Sequence, residues 1–163
     1  MGRAMNPKGG DDRVYTPDEL ALKIVRHFKP WGLALEPCAG KGAFVRAFQE
    51  YGLGCVETCE IDDGKDFLTV EGSWNWIVTN PPWSKFREFL IHAMRVADNV
   101  VFLANLNAWV TKARMREIES AGFRMREWVL VDTPEKPWPQ AGFQLAAVYI
   151  QRGFSGDLRI SYE

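Results

Sequence analysis

Two consecutive prolines stop this chain immediately after a long apolar run. Trp74-Asn75-Trp76-Ile77-Val78-Thr79 reads as a buried strand, and Asn80-Pro81-Pro82-Trp83 follows it. The prolines lock φ and remove two backbone donors. The residue before a proline is pushed into an extended conformation. Asn80 is therefore held at a strand end, with its side-chain oxygen beside the Pro81 carbonyl. Two fixed acceptors of that kind can take both hydrogens of one amino group, and Trp83 offers a flat face to a planar ring. A Pro-rich turn with a core Trp accounts for the same four residues, so the rest of the chain has to decide between the two readings.

The 163 residues suit a single core, which sets the expectation of one domain over residues 13–163. Lys and Arg number 20 against 21 Asp and Glu, which excludes the strongly basic footprint of many nucleic-acid binders but not a local patch. No apolar run reaches the roughly 18–20 residues of a membrane span, and the N-terminus has no signal-peptide core. A cytoplasmic protein is expected. Three Cys without a repeated C-x-x-C, and two isolated His, give no metal site. Free, mostly buried thiols are expected, with Cys55 and Cys59 on one face of a strand, and the His are read as helix residues.

Taken in order, residues 1–12 are Gly-rich and polar and read as a disordered tail. Thr16-Pro17-Asp18-Glu19 has the pattern of a capping box with Thr16 as N-cap. The helix after it presents free N–H groups at its start. Leu33-Ala34-Leu35-Glu36 is a short strand that runs into Pro37-Cys38-Ala39-Gly40-Lys41-Gly42 and then a helix over residues 43–51. This is the strand, Gly turn and helix that open a nucleotide-binding α/β unit, although G-x-G-x-x-G is incomplete and the spacing is not that of a P-loop. A second strand over residues 54–60 ends in Glu60, with Asp62 and Asp63 beyond it. An acid there is placed to accept from ribose hydroxyls; a solvated loop carboxylate is the plainer reading. Asp66-Phe67-Leu68 falls where a third strand belongs, and Asp66 could accept from an adenine amino group while Phe67 packs on the ring.

A helix over residues 85–96, a strand over 99–104, a helix over 111–120 and a strand over 128–131 follow. The loop 132–143 carries Lys136 and Trp138, a last strand spans 144–150, and residues 157–162 form a short edge segment. Alternating strands and helices with a closing hairpin-like pair imply an α/β fold: a doubly wound, mostly parallel sheet with helices on both faces. Ligands of such sheets bind beyond the carboxyl ends of the strands. The Gly turn, Glu60, Asp66 and Asn80 all fall at those ends, and this convergence is the strongest signal in the chain.

The same residues resemble class I S-adenosylmethionine-dependent methyltransferases, and specifically the amino-methyltransferases of the DNA N6-adenine type. Asn80-Pro81-Pro82-Trp83 is similar to their (Asn/Asp)-Pro-Pro-aromatic motif, residues 36–44 resemble their cofactor turn, and Tyr15-Thr16-Pro17 resembles the element that closes over the cofactor. The motif order is that of the gamma arrangement. The resemblance covers most of residues 14–150 and implies a Rossmann-like, seven-stranded sheet with a final antiparallel strand.

It also implies roles. S-adenosylmethionine is the cofactor. Tyr15, Thr16, Pro37, Cys38, Ala39, Gly40, Gly42 and Phe44 would help to bind it, with Thr16 and the Gly40–Gly42 turn at its methionine part, Glu60 at the ribose, and Asp66 with Phe67 at the adenine. Asn80 would lie against the cofactor and, with Pro81, Pro82 and Trp83, form the catalytic set. The implied reaction is methylation of adenine N6 in DNA on a flipped-out base. RNA-base or protein-glutamine N-methylation is the alternative with the same chemistry, and a catalytically silent fold that binds cofactor or a partner is the alternative of another class. The sequence departs from the family in one respect: nothing of the size of a target-recognition domain remains. Trp83, Lys112, Arg114, Lys136 and Trp138 are the loop candidates for substrate contact, with residues 84–87, Trp109 and Arg116 beside them, and a protein partner could supply specificity.

Overall fold

The computed structural model describes residues 14–140 and 142–163, so the tail expected over residues 1–12 lies outside the described residues. Seven strands form one sheet: β1 (Leu33–Glu36), β2 (Cys55–Thr58), β3 (Trp74–Thr79), β4 (Ala97–Asn105), β5 (Phe123–Leu130), β6 (Leu145–Arg152) and β7 (Arg159–Tyr162). Their spatial order is β2-β1-β3-β4-β6-β5-β7. β6 runs antiparallel to both its neighbours, β4 and β5, and the other pairings are parallel. The doubly wound, mostly parallel sheet is therefore as expected, and β6 is its antiparallel strand.

Four helices cover the two faces: α1 (Asp18–Phe28) and α2 (Ala43–Tyr51) on one, α3 (Phe86–Val96) and α4 (Lys112–Ser120) on the other. The central strands are buried on both sides, which is why they read as continuous apolar runs rather than alternating ones. Within β3, Trp76 and Val78 pack with α1 and α2, while Trp74 and Ile77 pack with α3. Trp109 is wholly buried against Phe86 and Phe102, so it is a core residue and not a base-reading one.

Several local expectations change. Residues 67–69 form a 3-10 turn where a third strand was expected, because the Asp66 Oδ1 accepts from the Leu68 N–H at 3.0 Å and caps the turn. The seventh strand is instead the C-terminal edge segment, β7. Helix α1 begins at Asp18, with Pro17 as its N-cap and no side-chain cap. The Thr16 hydroxyl accepts from Asn80 instead, and Glu19 pairs with Lys23. β2 ends at Thr58, so Cys55 is exposed while Cys59 is buried, and the two do not share a strand face. His27 and His92 sit on α1 and α3, where they meet Glu127 and the Val70 carbonyl.

Helix α4 does carry a side-chain cap: the Thr111 hydroxyl accepts from the Arg114 N–H at 3.2 Å. Only Ile118 of this helix is buried, so tertiary packing supports it weakly. Thr111→Ala is expected to cost about 1 kcal/mol, read as a lower urea midpoint at unchanged slope.

Candidate functional site

The parallel strands β1, β2, β3 and β4 all point their carboxyl ends the same way, and the chain turns there into the segments that carry chemistry. At the end of β1 the ladder continues past the strand, with the Cys59 N–H donating to the Glu36 carbonyl at 2.9 Å and the Ala39 N–H to the Cys59 carbonyl at 3.0 Å. These two bonds hold the β1 turn against the β2 turn. Gly40 has a left-handed φ of 52°, and a Cβ there would come within 3.2 Å of the Tyr15 ring. Glycine is needed because the aromatic ring lies over the backbone. Gly42, with φ 83°, makes the tight entry into α2.

Glu60 closes this turn from the other side. Its Oε2 accepts from the Gly40 N–H at 2.6 Å and its Oε1 from the Asp62 N–H at 3.3 Å. Each carboxylate oxygen retains a second lone pair for a further donor. Asp66 stands next along the same edge, with Phe67 buried behind it against Phe89 and His92. The result is a cleft of about 390 Å³ that Tyr15, Pro37, Cys38, Gly40, Glu60, Asp66, Phe67, Asn80 and Pro82 all line. Thr16, Ala39 and Phe44 line a smaller adjoining cavity of about 40 Å³, which also reaches Asn80. Gly42, Pro81 and Trp83 line neither.

The Asn80 amide is fixed by a segment distant in sequence. Its Nδ2 donates to the Val14 carbonyl at 3.0 Å and to the Thr16 hydroxyl at 3.2 Å. A backbone carbonyl can only accept, so the atom facing Val14 must be the amide nitrogen. Both amide hydrogens are thereby committed, and Oδ1 is the amide's remaining acceptor. Pro81 is buried beside it. Trp83 is half-buried, with near-perpendicular contacts to Trp138 at 5.9 Å and Phe143 at 5.4 Å between ring centroids.

Glu36 is the residue that the sequence left without a role. It is 1 % exposed, and its Oε1 accepts from the Cys38 N–H at 2.8 Å and from the Thr79 hydroxyl. It thus ties the Gly turn to the last residue of β3, next to Asn80. Burial pushes its carboxyl up to about 8, against the opposing pull of those two hydrogen bonds. Burial also raises the Cys38 thiol, with the Glu36 charge adding to it. The signal in the sequence was a carboxylate ending an apolar strand before a proline. Val14, which receives the Asn80 amide, carried no such signal, because it acts through its backbone. Ile61 and Lys65 also line the cleft without having been singled out for it, and so does Lys85 of the 84–87 stretch, which was expected at the substrate.

The loop candidates separate into two groups. Lys112 and Lys136 are exposed. Arg114 is not a solvent-facing contact: its guanidinium donates to the Ala108 carbonyl, pairs with Glu117 and lies over the Phe86 ring. Trp138 is 3 % exposed, so no base can stack on it in this structure. Its indole N–H donates to the Tyr15 carbonyl at 2.9 Å, and its edge meets Trp83. Of the basic residues beyond the Gly turn, Lys85 lines the cleft, Arg87 in the first turn of α3 pairs with Glu117 of α4, and Lys112 and Arg116 are exposed on α4. Among the described residues no group of His, Cys, Asp and Glu is arranged to hold a metal ion, and no helix is long and apolar enough to cross a membrane.

No protein-family profile matches the chain, and no curated protein matches it in sequence. Solved structures do match. A protein of Pyrococcus horikoshii described as an RNA methyltransferase superposes with a TM-score of 0.70 at 17 % identity, over 94 % of this chain and 91 % of that one. A protein of Listeria monocytogenes described as a class I S-adenosylmethionine-dependent methyltransferase gives 0.69 at 11 %, over 97 % and 68 %. The chain has the class I methyltransferase fold. The M protein of the type I restriction enzyme EcoKI gives 0.68 at 13 % identity, with 90 % of this chain matching 45 % of it. At these identities the likeness is one of fold, and the chemistry has to be argued from the site.

Proposed function

We propose that the protein is an S-adenosylmethionine-dependent methyltransferase acting on an exocyclic amine, with adenine N6 in DNA as the substrate. The observation that carries this is the fixed Asn80 amide: its hydrogens are held by Val14 and Thr16, which leaves Oδ1 as its acceptor, and Asn80 lines a cleft that Gly40, Glu60 and Asp66 also line.

The cleft residues fit the cofactor. Its volume is in the range of small-molecule sites. Glu60 and Asp66 offer acceptors for ribose hydroxyls and an adenine amino group, Phe67 offers an apolar wall, and the turn around Gly40 admits close backbone approach. When bound, the cofactor supplies a methyl group on a positively charged sulfur. The chain's own task is positioning. An exocyclic base amine is a weak nucleophile because its lone pair is delocalised into the ring. Oδ1 of Asn80 and the Pro81 carbonyl, accepting its two hydrogens, favour a more tetrahedral nitrogen and aim the lone pair. Orientation and fixed dipoles of this kind lower a barrier without a covalent intermediate.

A base paired in a duplex cannot reach such a cleft, so the target must be flipped out. Lys85, exposed and lining the cleft, suits a phosphate beside the target base, and Lys112 and Arg116 are exposed cations on α4; affinity for phosphates is largely electrostatic. These cations favour a nucleic acid over a protein glutamine. The test is incubation with labelled S-adenosylmethionine and separate DNA, RNA and protein pools, followed by nucleoside analysis. Label in N6-methyladenine of DNA is the expected result. Label confined to RNA or protein would transfer the chemistry to that substrate, and a folded protein that binds no cofactor in calorimetry would sink the reading altogether.

A further inference from the structure

We propose that Trp138 is a positioning residue of the amine site, acting through the strap of residues 14–16 rather than by touching substrate. Its catalytic consequence rests on the methyl-transfer reading above; its geometry does not. Tyr15 is the middle residue of the strap, and its carbonyl accepts from the Trp138 indole N–H at 2.9 Å. The residues on either side, Val14 and Thr16, supply the two acceptors that hold the Asn80 amide, at 3.0 and 3.2 Å. One buried donor therefore anchors the centre of a three-residue segment whose two ends orient Asn80.

The same indole reaches the other arm of the motif. Its ring meets Trp83 at 5.9 Å and 73°, three residues beyond Asn80. On the far side, the Tyr15 ring is held over Gly40 and under the Lys41 ammonium, 4.5 Å from its centroid. The ring contacts fix where the Tyr15 side chain lies. They do not fix its carbonyl, which depends on Trp138. The indole that donates is buried, and deleting its N–H leaves the Tyr15 carbonyl without that partner. The strap would then shift, and the amide it holds would turn. Misplacement of a reacting geometry by about 1 Å can cost roughly 100-fold in rate. Trp138→Phe keeps an aromatic ring beside Trp83 while deleting the donor and part of the ring volume, so a smaller loss is expected.

The experiment uses the full chain with Trp138→Phe. Methyl transfer from labelled S-adenosylmethionine to DNA, calorimetric binding of S-adenosylmethionine, and the nitrogen-15 signals of the Asn80 side-chain amide are measured together. The expected result is a kcat about tenfold lower, cofactor affinity within about threefold of wild type, and Asn80 amide signals moved from their wild-type positions. A wild-type kcat, or amide signals that do not move, would overturn the proposal, because a merely structural Trp has no reason to act on that one amide. Should wild-type protein label no DNA, RNA or protein, the methyl-transfer reading fails, and the amide signals alone decide the strap. Should Trp138→Phe not fold, 3-benzothienylalanine at position 138 replaces the N–H by sulfur with the ring shape retained, and the same readouts apply.

Discussion

Asn80→Ala is expected to abolish methyl transfer while leaving the cofactor bound. The substitution removes the Oδ1 acceptor of an amide whose orientation the strap fixes. Deleting one preorganised polar group of this kind costs roughly 100- to 1,000-fold in kcat. Cofactor affinity should fall less. The hydroxyl- and amino-group acceptors, Glu60 and Asp66, are held by backbone N–H groups of Gly40, Asp62 and Leu68, none of which depends on Asn80. Some loss is expected nevertheless, since the Val14 carbonyl and Thr16 hydroxyl lose their donor and Tyr15 lines the same cleft. Labelled transfer at saturating cofactor, beside calorimetry, checks the split. A variant that still transfers at near the wild-type rate would remove Asn80 from the mechanism. One that loses binding and transfer together would make Asn80 a cofactor residue.

The edge of the sheet was legible from the sequence because its markers are local. A double proline, a Gly turn and acids after apolar runs each announce a strand end within a few residues. Parallel topology then gathers those ends, and Gly40, Glu60, Asp66 and Asn80 do line one cleft. What the sequence could not give were partners brought in from far away. Trp138 and Tyr15 are separated by 123 positions and Asn80 and Val14 by 66, so no spacing rule reaches them. Trp138 in a Pro-rich loop looked available to a base, yet its indole N–H finds a backbone carbonyl and the ring is buried. Arg114 looked like a substrate contact, yet the Ala108 carbonyl, Glu117 and the Phe86 ring consume its guanidinium. The third strand failed for a different reason. Asp66 competes for the backbone locally, and a three-residue segment has too little ladder to outweigh a capped turn.

Glu36→Gln is expected to make the protein more stable at alkaline pH, and the gain should vanish in acid. Glu36 is buried, and its carboxyl titrates at about 8 in the fold against an ordinary 4.5. A carboxyl raised on folding binds its proton more tightly in the native state. Its contribution to stability is therefore fully present below pH 4.5 and is lost as pH rises toward and through about 8. Above that, the wild-type protein holds a buried carboxylate, whereas the glutamine stays neutral. Its side-chain oxygen can still accept from the Cys38 N–H and the Thr79 hydroxyl. The two proteins should be alike near pH 4.5 and diverge by several kcal/mol by pH 9. Glu127 provides the internal contrast. Burial pushes its carboxyl up, but hydrogen bonds from His27 and Arg159 outweigh burial and leave it below the ordinary value. Its contribution is present above the ordinary carboxylate value and is lost as pH falls through its lowered one, so it acts on the acid limb. The two windows do not overlap, and urea midpoints of wild type and Glu36→Gln across pH 4 to 9 isolate the Glu36 term. Parallel curves over that whole range would mean that Glu36 is ionised in the fold at neutral pH, and the tie between the Gly turn and β3 would then be a pair of charge-assisted hydrogen bonds.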